Sequence, residues 1–201
     1  MKRAFYDRET EIVARELLGA VLVCLTPAGR ASGRIVETEA YLGPHDEACH
    51  AVAGVTARTK WLFGEPGRAY VYYIYGAHWC FNAVTREVGH GSAVLVRAIE
   101  PVDGIDLMRA RRSRAKRDRD LTNGPGKLCA ALGITGAHNG LALDDSPLTI
   151  HRGAPVADAG VLVSPRIGIT RAADWPMRFF VAGNEYVSRT PRAMIARTYS
   201  R

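Results

Sequence analysis

The spacing of apolar and polar positions changes period several times along the chain, and each change predicts an element. Residues 8–18 place Ile12, Val13, Leu17 and Leu18 at helical intervals, with Asp7 where a cap belongs, Glu9 and Glu11 near the positive end, and Gly19 as terminator. Residues 20–25 read as a short apolar strand, Thr26-Pro27-Ala28-Gly29 as a turn, and residues 33–41 as a second strand. A period of two in that second strand puts Ile35, Glu37, Glu39 and Tyr41 on one side, with Arg34, Val36, Thr38 and Ala40 on the other. Residues 69–85, aromatic and β-branched around a glycine, read as a hairpin. If Gly76 to His78 connect its arms, Tyr72, Ile74, Cys80 and Asn82 share one face and Tyr73 and Phe81 the other, with Tyr75 and Trp79 closing the tip. Residues 93–99 form an apolar strand interrupted by Arg97 and ended by Glu100-Pro101, after which Asp103 caps a helix through Met108. Pro125 opens an apolar helix that Gly133 closes, and short strands are expected at 148–152, 161–163, 166–169 and 178–181. Together these predict an α+β class: one mixed domain with a mainly antiparallel, curved sheet flanked by helices, and a protruding β-hairpin.

Composition narrows the setting. A chain of 201 residues, 47% hydrophobic, fits one domain with a sizeable core. There is no apolar run of membrane-spanning length, and Met1-Lys2-Arg3 leads into Ala-Phe-Tyr-Asp-Arg-Glu rather than a signal core, so a soluble, cytoplasmic protein is expected. Cys24, Cys49, Cys80 and Cys129 lie far apart without a C-x-x-C, and read as reduced, mostly buried thiols. The formal charge of +7, with a pI near 9.5, comes mostly from arginine and suits a polyanionic partner.

Candidate chemistry gathers in a few places. Glutamate is uncommon in strands, and Glu37 and Glu39 beside Tyr41 are either an exposed face with arginine partners or carboxylates whose desolvation suits general-base work. The Gly- and Pro-studded segment 42–67 is long enough to be a functional loop; Arg58, Lys60 and Arg68 near it are phosphate contacts or solvated charges. Its His45, Asp46, Glu47, Cys49 and His50 hold only fragments of a zinc-deaminase pattern. Arg97, inside an apolar strand, must find an acceptor, and Glu37 or Glu39 can supply it. The basic run 109–119 is either a solvated helix face or a nonspecific attractor of nucleic acid; Arg166, Arg171 and Arg178 hint at further anion contact. At Gly124-Pro125-Gly126-Lys127 a helix start can hold a phosphate, with Lys127 beside it; the spacing is not that of a Walker A loop, so a nucleic-acid backbone fits better than a nucleotide triphosphate.

The blocks Arg34-Ile-Val-Glu-Thr-Glu-Ala-Tyr-Leu-Gly-Pro, His50, Tyr70-Val-Tyr-Tyr-Ile-Tyr-Gly, Cys80-Phe-Asn82, Arg97-Ala-Ile-Glu-Pro and Gly124-Pro-Gly-Lys-Leu-Cys, in this order, resemble the alkyladenine (3-methyladenine) DNA glycosylase family. The resemblance runs from Phe5 to Val187. It implies a monofunctional base-excision enzyme without metal or cofactor; a monomer with no membrane partner is expected. Its substrate would be double-stranded DNA carrying a damaged purine, which is flipped out and released. By position, Glu39 resembles the general base that activates water, with Glu37 in support, and Arg97 resembles the residue that helps hold that water. Tyr41, His50 and Tyr72 match the residues that sandwich the flipped base, Tyr75 the wedge into the emptied stack, and Asn82 the residue that screens against normal guanine. For neutral lesions His50 is the natural candidate acid. His78 stands where the family's second wedge position varies in type.

Overall fold

The computed structural model describes residues 1–190 and 197–199. Two short helices, α1 (Arg3–Tyr6) and α2 (Thr10–Glu16), precede strands β1 (Val21–Thr26) and β2 (Gly29–Tyr41), followed by the hairpin β3 (Ala69–Ile74) and β4 (His78–Thr85) and by β5 (Ser92–Asp103). Helices α3 (Ile105–Arg111), α4 (Arg119–Thr122) and α5 (Pro125–Leu132) come next, then strands β6 (Leu148–His151), β7 (Val161–Ser164), β8 (Arg178–Val181) and β9 (Arg197–Thr198). Among the described residues every strand pairing is antiparallel, in a nine-stranded sheet of order β3-β4-β5-β2-β8-β7-β9, with β1 and β6 branching from β2. The class is α+β, as the sequence predicts.

Strand β2 is the spine. Its first half pairs with β1 and its second with β8, while β5 runs along its other edge. Where the partner changes, the ladder is irregular: Ile35 faces Ile99, Glu37 faces Ala98 and Thr38 faces Val96, so Val36 is an extra residue on β2 and Arg97 an extra one on β5. The two bulges compensate, but each reverses the facing of the residues beyond it. Ile35 therefore joins Ala40, Val94, Val96 and Ile99 in the main core, on the side away from Glu37 and Glu39. The strict alternation expected for 33–41 fails at Val36 for this reason.

On one face of the sheet the main core is closed by Val13, Ala14 and Leu17 from the first helices, Met108 from α3, and Leu128, Cys129 and Leu132 from α5. Against the other, the loop between β2 and β3 packs Cys49, Ala51 and Leu62 onto Tyr70, Val84 and Ala93 as a separate, smaller cluster.

Several boundaries differ from expectation. Asp7 is the C-cap of α1, and the second helix starts at Thr10, so Ile12 is 43% exposed rather than buried. Gly104, with φ of 73°, precedes α3, while Asp103 bonds its backbone N–H and pairs with Arg30. Strand β5 continues through Pro101 to Asp103 because its second neighbour, β4, pairs only with Ser92 to Leu95, so the missing proline N–H breaks no ladder on that edge. Residues 166–169 are not a strand: the Arg166 side chain is drawn inward to Asp46. No helix among the described residues is long and apolar enough to cross a membrane.

Candidate active site

The hairpin register pairs Ile74 with His78, Tyr73 with Trp79, Tyr72 with Cys80 and Tyr70 with Asn82. Its connection is thus Tyr75 to Ala77, two places of register from the expected pairing, a slip that keeps every facing. Tyr70, Tyr72, Ile74, His78, Cys80 and Asn82 share one face and line a cavity of about 550 Å³. On the back, Trp79 leans on Tyr73 with ring centroids 4.8 Å apart instead of closing the tip. Tyr75 is alone at the turn, 81% exposed, with a φ of 54° that costs an aromatic residue backbone strain. It lines the mouth of the same cavity.

Tyr41, His50, Arg97, Gly126 and Lys127 share the wall with the hairpin face. The His50 ring stands edge-on to Tyr72 at 4.5 Å, and its Nδ1 lies 2.9 Å from the Tyr70 hydroxyl. Burial, and then the nearby Arg58, lower the His50 pKa from its ordinary value. Burial likewise raises the phenols: Tyr70 is pushed up to about 12, and Tyr41 and Tyr72 are raised as well. Asn82 donates through Nδ2 to the Tyr70 carbonyl at 3.0 Å, which fixes its amide orientation. Gly126 sits so close to the hairpin that a Cβ there would lie 2.9 Å from that of His78. The absent side chain thus admits His78, and Lys127 bonds Asn123 through Nζ at 2.7 Å.

Glu39 does not line the cavity itself. It is fully buried one layer behind, and each of its partners is a wall residue: the Tyr41 hydroxyl donates to Oε2 at 2.9 Å, the Ile167 N–H to Oε1 at 2.7 Å, and Arg97 Nη1 lies 3.3 Å from Oε1. Glu37 is equally buried and receives Arg97 Nε at 3.0 Å, Arg178 Nε at 2.7 Å, and both the N–H and hydroxyl of Ser188 at 2.7 Å. Burial opposes the charge on Arg97, yet the carboxylates of Glu39 and Glu37 raise its pKa. Two acids and two guanidinium groups thus close on one another beneath the cavity.

Arg166 and Arg178, read from sequence as outward anion contacts, are fully buried. Arg166 grips Asp46 in a bidentate pair at 2.5 and 2.9 Å, bonds the Ala40 carbonyl at 3.0 Å, and lies 4.7 Å beneath the Tyr41 ring. Asp46 is therefore the anchor of the long loop, also accepting N–H bonds from Leu42 and Ala48 at 3.1 Å. Among the described residues no three His, Cys, Asp or Glu side chains are grouped to hold a metal ion. Arg166, Arg178, Ser188 and Tyr70 escaped the sequence reading as site residues. The rule that singled out Arg97, an arginine within an apolar run, applies equally to Arg178 before Phe179, Phe180 and Val181.

Comparison with known proteins places this geometry. Residues 4–185 match the methylpurine-DNA glycosylase family. Similar curated proteins include one from Myxococcus xanthus, 48% identical over 194 residues, which cover 95% of this chain and 94% of the relative. Another, from Methanoculleus marisnigri, is 50% identical over 189 residues, covering 92% of this chain and 97% of the relative. A third, from Carboxydothermus hydrogenoformans, is 46% identical over 190 residues, covering 94% and 98%. All three are named as candidate 3-methyladenine DNA glycosylases. The chain belongs to the methylpurine-DNA glycosylase family.

Proposed function

We propose that this protein excises alkylated and deaminated purines from duplex DNA by hydrolysing the N-glycosylic bond with a water activated by Glu39. The observation that carries the reading is the layering of the site. An aromatic slot open to solvent has a carboxylate directly behind it, and its partners Tyr41, Ile167 and Arg97 are part of the slot wall.

A purine alkylated at N3 or N7 is cationic, and stacking against tyrosine faces favours it by roughly 0.5–2 kcal/mol over a neutral base. Extrusion costs a few kcal/mol, partly forfeited already by a damaged or mispaired base and partly offset by Tyr75 entering the stack. Entry of the base between Tyr41, Tyr72 and His50 parts Tyr41 from Glu39 and admits a water held by Glu39 and Arg97. The water oxygen bonds to the sugar C1′, its proton passes to Glu39, and the electrons of the broken C–N bond leave with the base. An alkylated purine departs neutral. Hypoxanthine must gain a proton to leave as easily; with its pKa lowered, His50 is uncharged at neutral pH and offers that base a hydrogen bond rather than a ready proton.

A duplex oligonucleotide with one alkylated purine, incubated with the protein in EDTA, is expected to accumulate abasic sites on a strand that stays uncut until alkali is added. No abasic product would exclude the reading, and immediate strand cleavage would point to an amine nucleophile instead of water. Glu39→Gln should bind the same duplex while losing base release by orders of magnitude; near-normal release would take Glu39 out of its role. A nucleic-acid-binding module without activity would share the affinity but leave the base in place.

A further inference from the structure

The basic run after β5 resolves into residues with different attachments. Arg109 is clamped by Asp118 at 3.0 and 2.8 Å and by Asp106 at 2.9 Å. Arg111 is spent on the Ala131 carbonyl at 3.0 Å and the Thr26 hydroxyl at 2.7 Å, and Arg117 pairs with Asp120 at 3.0 Å. Arg112 is unlike them. It is the member of this run that lines the cavity, where it shares the wall with Gly124, Pro125, Gly126 and Lys127. Its bond to protein is a long one, 3.4 Å from Nη2 to the Asp120 carbonyl, and its buried Nε has no partner among the described residues. Burial also lowers its pKa, opposed only in part by Asp120. A guanidinium has five donors in a fixed fork, and leaving them unmatched beside a cavity is costly unless an anion completes them.

We propose that Arg112 is a phosphodiester-binding residue, holding a backbone phosphate of the DNA strand at the cavity mouth on the α5 side. The proposal rests on the glycosylase reading for the identity of the ligand. On this view the members of the run are not equivalent: Arg109 and Arg117 neutralise their own acids, and Arg112 carries the contact at the cavity.

Salt dependence tests this, because each phosphate neutralised contributes about 0.9 to the slope of log affinity against log salt. The probe is a duplex holding one stable abasic-site analogue, titrated with full-length protein over a range of sodium chloride concentrations. Arg112→Gln should make the slope shallower by about 0.9, Arg112→Lys should keep it, and Arg109→Gln should leave it unchanged. The slope does not depend on the fraction of correctly folded protein, so partial misfolding of a variant does not mimic the effect. An unchanged slope in Arg112→Gln overturns the proposal, as does an equal loss in Arg109→Gln or in Arg112→Lys. Base release by the unaltered protein is scored separately, so failure of the glycosylase reading and failure of this contact are distinct results.

Discussion

Asp46, Glu37 and Glu39 are fully buried carboxylates, and Arg166, Arg178 and Arg97 answer them. Removing one member of such a pair strands the other, whereas replacing both by apolar groups can be neutral. Asp46→Asn is therefore expected to cost about 3–5 kcal/mol in urea unfolding, with the double change Asp46→Leu, Arg166→Met more stable than the single one. A double variant no better than Asp46→Asn would show that the loop is held by something other than this pair. His50 makes a second residue-level prediction through pH. Its folded pKa lies below the ordinary value of 6.5, so the unfolded chain takes up the proton first, and stability present above that pH is lost as pH falls through it. The melting-temperature advantage of the unaltered protein over His50→Asn should accordingly shrink between about pH 7.5 and 5.5. A constant difference would mean that the ring is solvated. The Arg97 pairing was legible from its apolar run and that of Arg178 could have been by the same rule, whereas Arg166, beside turns, reads as surface until the chain that buries it is known.

At the level of elements, the hairpin faces follow from residue spacing alone, because a two-residue slip of register preserves them. The β2 and β5 bulges could not be read in this way: Val36 and Arg97 lie in runs that alternate acceptably with or without an extra residue. Yet these bulges aim Arg97 and both glutamates at the same side as Tyr72 and Asn82. The hairpin tip shows what a protruding element costs. Tyr75 takes a backbone angle natural to glycine, while Tyr73 steadies the turn through a 2.8 Å bond from its hydroxyl to the Gly76 carbonyl. Tyr75→Gly should leave the protein as stable or more so, by up to about 1 kcal/mol, while slowing excision from duplex far more than from single-stranded DNA. An equal effect on both substrates would argue against a wedge.

Over the whole molecule, charge and packing divide the labour. Most of the net +7 is expressed outside, while the three buried acids named above are balanced by three of the buried guanidinium groups. Packing divides into a main core and a satellite cluster under the long loop, and only the satellite shares Tyr41, Tyr70 and Tyr72 with the cavity. Hydrogen exchange should therefore find the amides of Val94 and Val96 slowest and those of Lys60 and Leu62 released by local opening. Uniform protection would mean that loop and sheet open together. The bond between Ser188 and Glu37, finally, has an implication for how the protein comes into being. Strands separated by more than a hundred residues meet at that acid, and Arg178 follows every aromatic residue of the slot along the chain. A nascent chain halted before it would own every ring of the slot but hold two glutamates against Arg97 alone, so competence waits on a strand made long after the rings.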